Sequence, residues 1–361
     1  MLRLRWLGAS FAAMTVLASG ATPGSAGTTV RPVDPGVTSV DPRVASVQPV
    51  TAAAAAATGK GISLRDVQDY WGKNSRGIVS DVRDVDAAGA TWIRLDLEPT
   101  AGSAAALDVL VKAAKARGVN VLVVLRKTPP TKDLGTPADR ATYRAFVRRA
   151  VARYKASVRH WEITDEPNLS HTWTIDHSPG SDQSKYEASV RRYVTHLQDG
   201  YRTIKQVDPK ATVLFGGLSE WRVERYLDVL VKTPAAEYFD VMSYHPYGKT
   251  PAKVVARFNA IRNKMRSVRA YARKPIWVTE WGYNTSWTNK GGYVPTEALK
   301  AKYLPVTIRQ LRAAGASGPC FWYTLHENRA TSKGYGLTLK NKKTLKTTRL
   351  PAFSAFRNFT N

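Results

Sequence analysis

From Gly59 onward, short apolar runs alternate with longer stretches in which apolar residues recur every three or four positions. The short runs predict buried strands at 61–64, 91–97, 120–125, 158–165, 212–217, 239–244, 276–280 and 319–325. Gly61-Ile62-Ser63-Leu64 is short enough to be a loop instead; the other seven carry the Val, Ile, Leu or aromatic runs of strands covered on both faces.

The longer stretches read as helices. Tyr143, Phe146, Val147, Ala150, Val151 and Tyr154 fall at i, i+3, i+4, i+7, i+8 and i+11, which puts one apolar stripe on a helix. Thr136 is its expected N-cap, with Pro137 at the first helical position and Asp139 three residues after the cap. The same period recurs through Val190, Tyr193, Val194, Leu197, Tyr201 and Ile204, and through Val254, Phe258, Ile261, Met265 and Val268. In the segment 297–314, Pro305 removes a backbone donor and crowds the preceding turn, so a kink or a later helix start is expected there.

Strand followed by helix, repeated eight times, is the rhythm of a single (β/α)8 TIM barrel domain over 59–361. A doubly wound open sheet shares that local rhythm and stays open as the alternative.

The first 58 residues are of another kind. Arg3 and Arg5, the apolar run 6–18 and the small residues after it read as a secretory signal peptide over 1–26, with cleavage after Ala21 or Ala26. An uncleaved N-terminal anchor is the competing reading; no later run reaches the roughly 20 apolar residues of a membrane-spanning helix. Residues 27–58, rich in Val, Pro, Thr, Ser and Ala and ending in six alanines, read as a disordered linker. The mature protein is therefore expected to be secreted and extracellular. A single cysteine, Cys320, excludes an intramolecular disulfide and is expected inside a strand.

Charge changes the list of partners. With 54 Lys plus Arg against 28 Asp plus Glu, the net charge is +26, which attracts anionic surfaces such as a cell envelope or an acidic polysaccharide. The basic residues are scattered over helix faces, and without a zinc-finger, RRM or helix-turn-helix pattern nucleic acid is not an expected partner. A simply well-solvated surface explains the charge equally well.

In a barrel of this type, chemistry sits at the C-terminal ends of the strands. The fourth run closes as Trp161-Glu162-Ile163-Thr164-Asp165-Glu166-Pro167-Asn168 and the seventh as Ile276-Trp277-Val278-Thr279-Glu280-Trp281-Gly282. Each delivers a carboxylate to the rim. Two carboxylates facing across a cleft can hydrolyse a glycosidic bond, one attacking the anomeric carbon and the other serving first as acid and then as base. A single such Glu would more simply be a rim carboxylate paired with Arg or Lys.

These two segments resemble those of the large clan of retaining glycoside hydrolases with (β/α)8 barrels, clan A, that includes families 5 and 39. The resemblance spans 59–361. It implies that Glu166, in Asp165-Glu166-Pro167, is the acid/base and Glu280 the nucleophile. It further implies that Tyr247, in Ser243-Tyr244-His245-Pro246-Tyr247, hydrogen-bonds the nucleophile. His245 would line the adjoining subsite, Arg94 in Trp92-Ile93-Arg94-Leu95-Asp96-Leu97 would sit near Glu280, and Trp322 would stack under the sugar, with Trp281 among the substrate contacts. A structural histidine and a core tryptophan are the plain alternatives for His245 and Trp322. Asp96 shares the inward parity of Arg94, so a plain Arg94–Asp96 pair fixing both residues inside the barrel is the bland alternative, and Asp96 is given no role.

One position departs from that clan. Asp165 stands where its members carry Asn, so a group that only accepts replaces one that also donates. It could accept from a sugar 2-hydroxyl and raise the pKa of Glu166, or mark a protein that has become a non-catalytic carbohydrate-binding barrel of the cell envelope. Transglycosylation shares the first chemical step with hydrolysis. The six histidines include no His-x-x-x-His pair, and neither a P-loop nor Gly-x-Gly-x-x-Gly follows any predicted strand, so no metal and no cofactor are expected.

Overall fold

The computed structural model describes residues 59–64, 74–126, 135–170, 172–173, 175, 177–178, 182–286, 293–294, 296–327 and 334–360. The expected export signal and linker lie outside these residues. In chain order the elements are β1 (Lys60–Ser63), α1 (Ser75–Ala87), β2 (Trp92–Leu97), α2 (Ala101–Lys115), β3 (Asn120–Leu125), α3 (Pro137–Tyr154), β4 (His160–Ile163), α4 (Gln183–Val207), β5 (Thr212–Leu214), β6 (Leu218–Ser219), α5 (Val223–Leu230), β7 (Met242–His245), α6 (Pro251–Arg266), β8 (Ile276–Trp281), α7 (Glu297–Ala313), β9 (Cys320–Tyr323), β10 (Thr338–Lys340), β11 (Thr347–Arg349) and α8 (Pro351–Asn358).

The main sheet has the order β5-β4-β3-β2-β1-β9-β8-β7-β6, with every pairing parallel. β5 and β6 are two parts of one interrupted strand. Leu214 bridges Val241 ahead of β7, while Gly217 bridges Asp165 after β4, so the two ends of the sheet meet. Eight strand positions closed on themselves make a (β/α)8 barrel and set aside the open sheet. The ambiguous segment at the start is a true strand, with Ile62 aligned to Ile93 on one side and Trp322 on the other.

Several helices start where a side chain satisfies a free N–H group of the first turn. Asn74, Thr136, Thr250 and Thr296 each accept from the backbone N–H three residues on. The six apolar residues expected on one stripe of α3 are all buried, with Phe146, Val147 and Val151 contributing about 1.5–3 kcal/mol each relative to exposure. α7 runs unbroken through Pro305 from Glu297, so the later start expected there does not occur. Its cap, Thr296, and the packing of Leu304, Ile308 and Leu311 outweigh one lost hydrogen bond. Cys320 is buried in β9, where desolvation raises its thiol to about 12. No described helix is long and apolar enough to cross a membrane.

Inside the barrel, residues stack in layers. Trp92, Leu122, Leu214, Val241, Trp277 and Phe321 form an apolar floor, with Trp92 edge-on to Trp277 at 5.5 Å. Two residues up β2 from Trp92, on the same face, is Arg94, fully buried. Above the apolar floor the interior is charged. The C-terminal hairpin β10–β11 and α8, which the apolar period did not reveal, close the outside: Lys60 donates to the carbonyls of Phe356, Arg357 and Phe359 at 2.6, 3.0 and 2.8 Å.

Candidate active site

β8 ends in a register shift between Val278 and Trp281. A regular strand would send Thr279 and Glu280 to opposite faces; the irregularity lets both turn inward. Thr279 Oγ1 lies 3.1 Å from His245 Nε2. Glu280, 4% exposed, accepts from Tyr247 at 2.7 Å through Oε1 and from Arg94 Nη1 at 3.1 Å through Oε2. Burial, and next the charge of Glu280, push the Tyr247 phenol well above 10, so it remains a donor.

Arg94 distributes its donors over three carboxylates from two strands. Its Nε and Nη2 grip Glu162 at 3.0 and 2.8 Å, and Nη2 also reaches Asp165 at 2.7 Å. Burial opposes its charge, but Glu162, Asp165 and Glu280 together prevail and raise its pKa. Asp165 holds a second cation, Arg126, at 3.0 Å. Arg126 also lies 3.6 Å from Asp96. The alternative of a plain Arg94–Asp96 pair does not form: Arg94 is engaged by Glu162, Asp165 and Glu280, while Asp96, further up β2, meets the arginine that follows β3.

After β4 the chain turns sharply. Thr164 and Glu166 adopt φ of 66° and 46°, in the left-handed region that costs a non-glycine residue about 1 kcal/mol or more. The turn is held by Glu166 N–H donating to Gly217 at 2.9 Å and by Leu169 N–H and the Thr172 hydroxyl donating to the Glu166 carbonyl. Gly217 N–H donates to Glu162 Oε1 at 2.9 Å. A Cβ on Gly217 would come 2.1 Å from His245 Nε2, so only glycine lets the imidazole stand against this backbone.

His245 is fully buried, with Nδ1 3.0 Å from Glu166 Oε1. Desolvation lowers its pKa against the opposing charge of Glu280, which favours a neutral ring. One carboxylate oxygen of Glu166 and one of Glu280 lie within 4.8 Å of each other and of a His245 nitrogen. The structure therefore brings together Glu166, Glu280, Arg94, Asp165, His245 and Tyr247, from four different strands.

The two tryptophans fare differently. Trp281 and Trp322 are each 0% exposed. They pack edge to face at 5.0 Å, and Trp322 Nε1 donates to the Tyr335 carbonyl at 3.0 Å. The sugar-stacking role expected for Trp322, and the substrate contact expected for Trp281, are corrected to core packing behind Glu280, because a ring without exposed area offers no face to a ligand. Tyr335 stands in front, edge-on to Tyr247 at 5.8 Å and to Tyr323 at 5.3 Å.

Among the described residues, three groups have metal-ligand spacing: Glu166, His245 and Glu280; Glu162, Asp165 and His245; and Asp81, Asp84 and His326. Each is already met by a cation of the protein. Arg94 serves the first two, and Lys340 lies 2.5 Å from Asp84 in the third.

Glu162, Arg126, Thr279, Glu220 and Tyr335 belong to the site or its walls and were not singled out from sequence. For Glu162 a signal existed: an ionisable residue inside an otherwise apolar strand run is rarely placed there without a partner. The others have no local signature.

No family model and no curated protein sequence matches the chain. Solved structures match in fold. A family 39 glycoside hydrolase from Bacteroides cellulosilyticus superposes with a TM-score of 0.61 at 19% identity, over 82% of this chain and 62% of that one. A β-glucosidase from Thermotoga maritima gives 0.58 at 13% identity, over 83% and 96%. An endo-1,4-β-mannanase from Rhizomucor miehei gives 0.55 at 13%, over 78% and 89%. The chain spans about three fifths of the length of the family 39 protein. At these identities the likeness is one of fold: the barrel is of the kind found in glycoside hydrolases.

Proposed function

We propose that this protein is a secreted, retaining glycoside hydrolase that cleaves β-glycosidic bonds of a polysaccharide or oligosaccharide by double displacement. The observation that carries the reading is the separation of Glu166 and Glu280, whose carboxylate oxygens approach within 4.8 Å. That lies on the short side, near the about 5–5.5 Å of retaining enzymes and below the roughly 6.5–9.5 Å that admits a water for inversion.

Glu280 attacks the anomeric carbon as the glycosidic C–O bond breaks, and Glu166 gives its proton to the departing oxygen. Glu166 then takes a proton from water, whose oxygen displaces Glu280 from the sugar. Arg94 and Tyr247 serve the first step by keeping Glu280 charged and aimed. With the Thr279 hydroxyl donating to Nε2, neutral His245 donates from Nδ1 to Oε1 of Glu166, which makes Oε2 the atom that presents the proton. No step needs a metal or cofactor.

A second reading, a carbohydrate-binding barrel without turnover, is favoured by Asp165. Both its oxygens are engaged by arginines, so it supplies neither the amide donor nor the mobility of a residue that reads a sugar hydroxyl.

The test incubates the protein at low salt with neutral and acidic β-linked polysaccharides and aryl β-glycosides, beside Glu166→Gln and Glu280→Gln, and measures new reducing ends and anomeric configuration. Turnover with retention that both variants lose supports the hydrolase. Binding without turnover moves the assignment to the second reading.

A further inference from the structure

Glu166 protonates the leaving oxygen, so the sugar beyond the cleaved bond must lie on the Glu166 side of the cleft. The backbone there is tied to a single turn. Asn168, two residues after Glu166 and fully buried, donates to the carbonyls of Ser219 and Trp221 at 3.0 Å each and accepts from Ser219 N–H at 3.0 Å. The turn is fixed from the other wall as well: Arg257 reaches Glu220 at 3.4 Å and also donates to the Tyr247 carbonyl.

What this turn displays is unusual for the molecule. Trp221 is 45% exposed, and the only other exposed large apolar side chain among the described residues is Leu339, on β10. The Trp221 ring is also oriented by its neighbours. His177, whose Nε2 lies 2.6 Å from the Asn168 carbonyl, stands nearly perpendicular to it at 4.6 Å, and the Arg222 guanidinium lies 4.8 Å from its centroid. A rigid, open indole on a turn tied to the segment that follows the proton donor is a ready stacking face for the C–H side of a pyranose. Glu220, beside it, is 18% exposed, and burial raises its pKa against the opposing charge of Arg257.

Resting on the hydrolase reading, we propose that residues 219–222 form a binding site for the leaving-group sugar, with Trp221 stacking on its ring and Glu220 accepting from its hydroxyls. The substrate class is then a β-linked chain with at least one sugar beyond the cleaved bond. The same site would take an acceptor sugar for transglycosylation.

The experiment compares kcat/KM on 4-nitrophenyl β-glycosides, whose leaving group has no sugar, with that on cello-, manno-, xylo- and laminari-pentaose. The proteins are wild type, Trp221→Ala, Trp221→Phe, Glu220→Gln and, as a surface control, Leu339→Ala. Trp221→Ala is expected to lose about tenfold more on the pentaose than on the aryl glycoside; Trp221→Phe recovers most of it, Glu220→Gln shows a smaller loss of the same kind, and Leu339→Ala matches wild type on both. Equal losses on both substrates, or no loss on the pentaose, overturn the site while leaving the hydrolase intact. A wild type inactive on every substrate overturns the hydrolase reading and this one with it.

Discussion

Tyr247 donates to Oε1 of Glu280 at 2.7 Å while the other oxygen of that carboxylate is held by Arg94. Two donors of different kinds, one neutral and one cationic, thus fix both oxygens of a buried anion. The neutral donor can be removed without changing the charge of the site, which makes it the cleaner probe.

Tyr247→Phe keeps the ring packing against Tyr335 and deletes only the hydroxyl. A hydrogen bond to a charged acceptor contributes about 1.5–3 kcal/mol, so kcat/KM on an aryl glycoside is expected to fall about tenfold to a hundredfold. The melting temperature should change little. An unchanged rate would show that Glu280 does not depend on this contact.

Asp165→Asn restores the amide of the glycosidase clan but removes a charge that two buried arginines share. Breaking a buried ion pair from one side costs about 3–5 kcal/mol, and because Arg94 keeps Glu162 and Glu280, the lower end is expected. Urea unfolding should report a loss near 3 kcal/mol with no gain in activity. A variant as stable as wild type and more active would mean that Asp165 meets the sugar after all.

Burial against Trp92, 4.8 Å away, lowers His160 from 6.5 to about 4. Well above pH 6.5 neither folded nor unfolded His160 is charged. As the pH falls from 6.5 towards 4, the unfolded ring takes up a proton that the folded ring refuses, so stability is lost through that window, by about 3 kcal/mol at its acid end. His160→Gln should flatten this part of the stability profile measured by urea unfolding between pH 7.5 and 4.5. The same slope in wild type and variant would count against it.

Lys60→Met leaves the chain end without its clamp. Three carbonyls at the end of α8 lose a cationic donor, a cost of about 3 kcal/mol. Amide hydrogen exchange over 351–360 should accelerate well before the barrel strands do; uniform exchange would place the stabilisation elsewhere.

Local pattern was enough to locate the carboxylates. A strand run that ends in Glu at the open end of a barrel announces its position by composition and spacing, and Glu166 and Glu280 were found that way. Strand parity left the partner of Asp96 open, since parity sets which face a side chain takes but not which arginine lies across it. Trp322 misled for a related reason: an aromatic in a strand reads alike whether its face is open or covered by another ring, here Trp281.

By itself, then, the sequence determined the alternation of strands and helices, the caps at Thr136 and its counterparts, and which residues close each strand, because these depend on neighbours within one or two turns of chain. The tertiary structure alone decided that the sheet closes through Leu214 and Gly217, that Arg94 draws Glu162, Asp165 and Glu280 together, and that Asn168 ties the turn at Ser219 and Trp221 to the segment after Glu166. Those contacts join residues far apart in the chain, where no periodicity reaches, and they form because a buried charge or amide must find its partner in whatever strand the closed barrel puts next to it.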